Sequence, residues 1–296
     1  MKKIIVTVLI GFSAMIAIGQ DTAIVQDDNP RPYLEPIQKM PTVNTYVELG
    51  LGLGSGKFRD FATSPLFYSG AQTGINLSVK LEKETHETYY GLNYSLGNYS
   101  NITESSYASS LVHALGLYYQ RLIVLKQLSN SKWKYKAGGQ LNMVGTYRYN
   151  PSLQNNAVGM EVVNTLFLSG KVDRDVSRTV VKDKKFLFIK YRVNPRLRSL
   201  SFQLNVGVIN NNYRNGYAYI DQSSVVNNPK AFGGYEYHWF EGFRMSSSLN
   251  YTIHLHNSNA VQVSYLWDAL HTGGETNRYE MGIHTVRFSI LFKTNN

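Results

Sequence analysis

The sequence predicts an all-β fold: an antiparallel barrel of about ten strands that crosses a membrane. Three observations predict it. The chain begins with an export pattern and holds no cysteine, ten later segments alternate apolar and polar residues with period two, and the connections between them alternate between short and long.

The first twenty residues set Lys2 and Lys3 before an apolar stretch from Ile4 to Ile18, followed by the small residue Gly19. Residues 1–20 therefore read as a secretory signal peptide, since the stretch is short and interrupted for a spanning helix. Residues 21–44 hold four of the eight prolines and show no clear period, which predicts an extended N-terminal tail. The barrel is expected over 45–296. The absence of cysteine excludes disulfides, thiolate metal sites and cysteine nucleophiles. A hydrophobic share of 43% and a mean hydropathy of −0.26 are ordinary values. A barrel hides in such averages because half of each strand faces a polar interior.

The strands follow from the alternation. Residues 45–54 set Val47, Leu49, Leu51 and Leu53 against Glu48, Gly50 and Gly52; residues 71–82 set Ile75, Leu77 and Val79 against Asn76, Ser78 and Lys80. The same pattern recurs at 88–99, 111–123, 133–149, 186–194, 200–209, 243–255, 260–269 and 281–292. Segment 150–185 has apolar content without clean alternation. It is expected to be an external hairpin, a loop inside the barrel, or two further strands, so ten strands is the reading and eight or twelve stay open. The connections after the even strands are brief, such as HNSN at 256–259, and those after the odd strands are long. Short turns on the side of the termini and long loops opposite are the arrangement of a membrane barrel, which a soluble sandwich does not need. On the fifth strand the outward track carries Trp133 and Tyr135 at one end and Tyr147 and Tyr149 at the other. From Tyr135 to Tyr147 the path is about 40 Å at ~3.3 Å per residue. Tilted by about 45°, it rises roughly 28 Å, close to the height of an apolar membrane band.

The last strand, VRFSILFK, alternates apolar residues and reaches an aromatic at Phe292. It resembles the C-terminal signature of Gram-negative outer-membrane barrel proteins, departing from it in that Lys293–Asn296 follow. The resemblance implies residence in the cell outer membrane, contact with outer-membrane lipids, insertion by the outer-membrane assembly machinery, and possible partners among other envelope proteins. Nucleic acid is not an expected partner of an exported chain, although the formal net charge is +10.

Few residues offer chemistry. His256 and Ser258 resemble the His-x-Ser element of outer-membrane lipid A deacylases, which would make His256 a base and Ser258 a nucleophile. Asp268 with His271 resembles the Asp and His residues at the mouth of omptin proteases, but no facing acidic pair accompanies them. The alternation also turns a mixed charge set inward: Glu48, Lys80, Glu82, Lys134, Lys136, Arg148, Lys190, Arg192, Arg244, His254, Asp268 and Arg287. Such charges either pair inside a small barrel or, left unpaired, favour anions in a pore. No metal ligand set or cofactor motif is found, and the expected cofactor list is empty. The reading is a non-enzymatic barrel acting as a narrow pore or as a scaffold for its loops. The alternatives are a lipid-modifying hydrolase and an accessory subunit of a secretion or uptake complex.

Overall fold

A computed structural model describes residues 43–103, 106–186, 188–193, 195–215, 234–274 and 277–294. The expected signal peptide and nearly all of the expected tail therefore lie outside the described residues. Ten strands form a closed antiparallel ring: β1 (Val43–Asp60), β2 (Ser64–Lys83), β3 (His86–Thr103), β4 (Ser106–Val124), β5 (Trp133–Tyr149), β6 (Val158–Asp175), β9 (Arg198–Asn215), β11 (Phe243–His254), β12 (Ala260–His271) and β13 (Tyr279–Thr294). Each pairs with the next, β13 pairs with β1, and β6 pairs with β9 across the intervening hairpin. That hairpin, β7 (Lys182–Phe186) with β8 (Ile189–Val193), is a separate two-stranded sheet. The short β10 (Tyr235–His238) lies outside the ring and pairs only with β9.

The expected strand count holds, but one of the ten is reassigned. The segment 186–194 is not a wall strand; residues 189–193 are β8 of the outlying hairpin. The sixth wall strand is Val158–Asp175, inside the segment 150–185 expected to form an external hairpin, an inner loop or two further strands. It alternates strictly in burial, with Glu161, Thr165 and Ser169 buried and Met160, Val162 and Leu168 exposed. Its sequence conceals this because Val163 and Phe167 face inward while Asn164 and Gly170 lie on the outward track. An apolar side chain packed into the lumen defeats a period count that equates apolar with outward.

The wall strands also run further than their alternation. β1 and β2 continue to Asp60 and from Ser64, so most of the expected loop 55–70 is strand, and Pro65 stands at the second position of β2, where its missing N–H is tolerated. The expected sorting of connections by length is corrected accordingly. The turn 61–63 is short, and residues 176–197, with the β7–β8 hairpin, make a long connection on the end that carries both termini. Beyond the bilayer both strand faces meet water, so alternation fades before the hydrogen-bonded ladder stops.

Outward-facing Leu51 is 61% exposed, as are Leu115 and Leu117 at 51% and Ile75 at 51%. So much aliphatic surface around a closed wall is an exterior built for lipid. Aromatic residues edge it. Trp133 and Tyr135 stack near the terminal end, with the Arg174 guanidinium 5.0 Å above the Trp133 ring. Toward the far end the Tyr94 and Tyr265 hydroxyls lie 2.7 and 2.6 Å from the ring nitrogens of His113 and His284. Amphipathic rings at both edges of an apolar belt suit the two membrane–water interfaces.

One irregularity decides what the far half of β9 presents. Between Leu166↔Ile209 and Phe167↔Gly207 the register slips, leaving Val208 as the extra residue of a bulge. Before it the odd residues Ser201, Gln203 and Asn205 are buried; beyond it the even residues Asn210, Asn212 and Arg214 are buried instead.

Candidate functional site: the barrel interior

Seven acidic side chains that are not exposed face the interior (Glu48, Asp60, Glu82, Glu87, Glu161, Asp173, Asp268), and so do eight basic ones (Lys80, Lys136, Arg148, Lys171, Arg214, Arg244, Arg287, Lys293). The interior is thus close to electroneutral, and most of these groups gather into two clusters.

Toward the far end, Asp60 at the close of β1 takes Arg148 of β5 on one oxygen at 2.5 Å and Arg214 of β9 on the other at 2.6 Å. Glu161 of β6 lies 3.4 Å from Arg148 and 3.9 Å from Arg214. Arg214 also donates to the Thr272 hydroxyl at 3.0 Å and to the Asn277 carbonyl. All four charged residues are buried. Beneath them Phe58 stacks on Tyr68 at 5.3 Å and meets the Tyr99 ring edge-on at 5.3 Å. Arg148 lies 4.7 Å over the Tyr279 ring. Strands from all sides of the ring supply these residues, so the cluster ties the wall together across its mouth.

Toward the terminal end, Glu87 of β3 receives Lys171 of β6 at 2.6 Å and Lys136 of β5, while Lys136 also meets Asp173 at 2.6 Å. Lys80 and Glu82 of β2 pair at 2.5 Å. Nearer that rim Tyr46, Ala260 and Leu291 are buried together, with the His254 ring 6.3 Å from Tyr46. Charges taken this far out of water persist because each has a partner; removing one member strands the others.

Between the clusters lies a polar chamber of about 310 Å³. Amides and hydroxyls line it. Gln203 donates to Gln120 at 2.6 Å, joining β9 to β4 across the lumen. Glu48 is held by hydroxyls, accepting from Tyr89 at 2.6 Å and Ser289 at 2.6 Å. Among the described residues, Glu48, Arg287 and Lys293 are the three of the fifteen inward charges without an ion pair within 4 Å. Gly50 leaves room for Arg287, since a Cβ there would lie 2.9 Å from its Cδ. Arg244 is fixed by Asp268 through two contacts of 2.6 and 3.1 Å, and its remaining Nη1 has no hydrogen-bond partner.

Of the residues expected in the lumen, Lys80, Glu82, Lys136, Arg148, Arg244, Asp268 and Arg287 all line it, and His254 faces in near the terminal rim. Lys134 has the inward parity but is exposed at the rim. Lys190 and Arg192 are corrected: they belong to β8, outside the ring. Six charged residues were missed. Asp60 and Glu87 are reached by extending the alternation of β1 and β3 to the strand ends, a signal present in the sequence. Glu161, Lys171 and Asp173 lie on the wall strand that was not recognised. Arg214 follows the bulge, where the sequence parity points the wrong way.

Neither hydrolytic pair assembles. His256 and Ser258 stand exposed in the tight β11–β12 turn, where Ser258 adopts φ +65° and its N–H donates to the Leu255 carbonyl. Asp268 turns inward to Arg244, whereas His271 is exposed on the outward track, its ring 6.4 Å from that of Phe243. Three positions apart on a strand, they occupy opposite faces.

No protein-family model matches the chain, and no curated protein matches it. Among solved structures it is similar to the translocator domain of the autotransporter NalP from Neisseria meningitidis, at 10% identity and a TM-score of 0.38 over 84% of this chain and 88% of that one. It is also similar to the outer membrane protease OmpT from Escherichia coli, at 10% identity and a TM-score of 0.45 over 85% and 95% of the two chains. A third is the transport unit of the autotransporter AIDA-I from Escherichia coli, at 9% identity and a TM-score of 0.42 over 97% and 98%. These are likenesses to outer-membrane β-barrels, and no residue role passes from them to this chain.

Proposed function

We propose that the protein is a non-enzymatic barrel of the outer membrane that works through its two ends and does not conduct solutes through its lumen. On this reading residues 1–20 are removed on export, the tail and both termini lie in the periplasm, and the assembly machinery inserts the barrel among outer-membrane lipids. The observation that carries the reading is the pairing of interior charges into clusters near both ends, with packed aromatic rings beneath the far one. A lumen held shut by ion pairs from many strands is a strut, whereas a porin lumen is an open aqueous channel.

Reconstitution into planar bilayers tests it. With insertion verified, the wild-type barrel is expected to give no conductance steps, and the double variant Asp60→Ala with Glu87→Ala is expected to give small ones. Sustained stepwise conductance from the wild type overturns the proposal. It would favour instead a gated passage through the polar chamber, the reading that Arg287 and the free Nη1 of Arg244 support.

A further inference from the structure

With its interior nearly balanced, the chain's positive charge has to lie elsewhere, and most of it lies in one place. Between Val176 and Leu197 the connection from β6 to β9 holds seven basic residues, from Arg178 to Arg196, against the single acid Asp183. This net +6 compares with +10 for the whole chain. The connection leaves the wall as a continuation of the β6–β9 ladder: the Val176 N–H donates to the Arg198 carbonyl at 3.0 Å, and Arg178 and Arg196 exchange hydrogen bonds of 2.9 and 3.0 Å. The ladder then breaks at 179–181, opposite Pro195, and resumes as β7–β8, where Lys182↔Val193, Lys184↔Tyr191 and Phe186↔Ile189 are paired. At its tip the sequence is Phe186-Leu187-Phe188-Ile189, and Phe188 is 85% exposed.

We propose that this hairpin docks on the anionic phospholipid surface beside the barrel, its apolar tip entering the interface and its basic flanks meeting the head groups. Three features favour a bilayer over a soluble polyanion. The root of the hairpin adjoins Arg174, which sits over Trp133 in the aromatic edge, and so starts at head-group level. An aromatic side chain as exposed as Phe188 adds nothing to binding a soluble polyanion but is suited to insertion. From the break to the tip the arm spans about five residues, roughly 17 Å at ~3.3 Å each, enough to fold back across a head-group layer. Near an anionic surface each basic residue multiplies partitioning by about five, so the flanks act together.

The absence of native cysteine allows a direct test. Phe188→Cys is labelled with an environment-sensitive dye in the full-length barrel, inserted into vesicles of neutral phosphatidylcholine with or without about a third phosphatidylglycerol. Glu84→Cys, in the β2–β3 turn at the same end, is the control. The expected result is a blue-shifted Phe188 label, quenched by lipids brominated near the head group, only in anionic vesicles and reversed by high salt. The control label stays unchanged. Lys184→Glu with Lys185→Glu, Lys190→Glu and Arg192→Glu is expected to abolish the lipid-charge dependence while the barrel keeps its faster unheated migration in detergent gels. A Phe188 label that stays in water in both vesicles overturns the proposal. Equal protection in both overturns the recognition of charge, and a response to soluble polyglutamate but not to anionic vesicles overturns it in favour of a polymer partner. Since the readout is the label, this test is independent of the conductance experiment.

Discussion

Asp60 shows how much can rest on one carboxylate. It sits at the end of β1, buried, with each oxygen committed to a different arginine. Those arginines are themselves buried, so truncating Asp60 leaves two cations with only Glu161 beside them. Removing one member of a buried ion cluster typically costs about 3–5 kcal/mol. Asp60→Ala is therefore expected to lower the unfolding free energy of the vesicle-inserted barrel by an amount in that range, measured by urea titration followed by Trp fluorescence. Asp60→Asn, which keeps hydrogen-bond acceptance, is expected to lose less. Equal stability of wild type and Asp60→Ala would show that the cluster does not brace the wall. On the outer face the sign of substitution reverses. Leu51 is exposed midway along β1, so Leu51→Arg places a charge against lipid at a cost of about 2–4 kcal/mol. Leu51→Phe is expected to be nearly neutral in the same titration.

At the scale of the element, the Val208 bulge matters most. It lets β9 carry Gln203 to the chamber and Arg214 to the far cluster although the two positions differ in parity. Deleting Val208 removes the extra residue and leaves Gly207, Asn210, Asn212 and Arg214 on one inward track of a regular ladder, so Arg214 still reaches Asp60. The deletion variant is expected to keep its folded, faster-migrating form in unheated gels. Loss of that form would show that the bulge does more for the strand than set its parity. Close approach imposes a second constraint on the elements. A Cβ at Gly138 would lie 2.1 Å from the Arg121 carbonyl, so β5 passes β4 there at a distance only glycine allows.

Across the whole molecule, charge is distributed by compartment. Fifteen inward charges come within one of balance, the lipid-facing belt is apolar, and most of the surplus of positive charge collects in one connection on the terminal end. Interior pairing suits a strut because several of the ion pairs link strands far apart in sequence, such as Asp60 with Arg214 and Glu87 with Lys171. A charge surplus inside would instead repel itself. The net positive charge of the chain therefore says little about the lumen, despite the inward basic residues visible along the strands.

The sequence by itself determined the class of the fold and the direction of most side chains. Period-two alternation is a local consequence of the pleat, and nine of the ten wall strands carry it openly where lipid lies on one side and polar groups on the other. It also contained Asp60 and Glu87 for a reader who continues the parity past the apolar band. Only the tertiary structure decided which segment closed the ring, because β6 packs Val163 and Phe167 inward and is recognised by its neighbours rather than by its own period. Only the structure placed Arg214, since a bulge is a property of two paired strands. Only it showed that the interior charges neutralise one another, because ion pairing depends on which strands face each other across the lumen, and that geometry arises only when the ring closes.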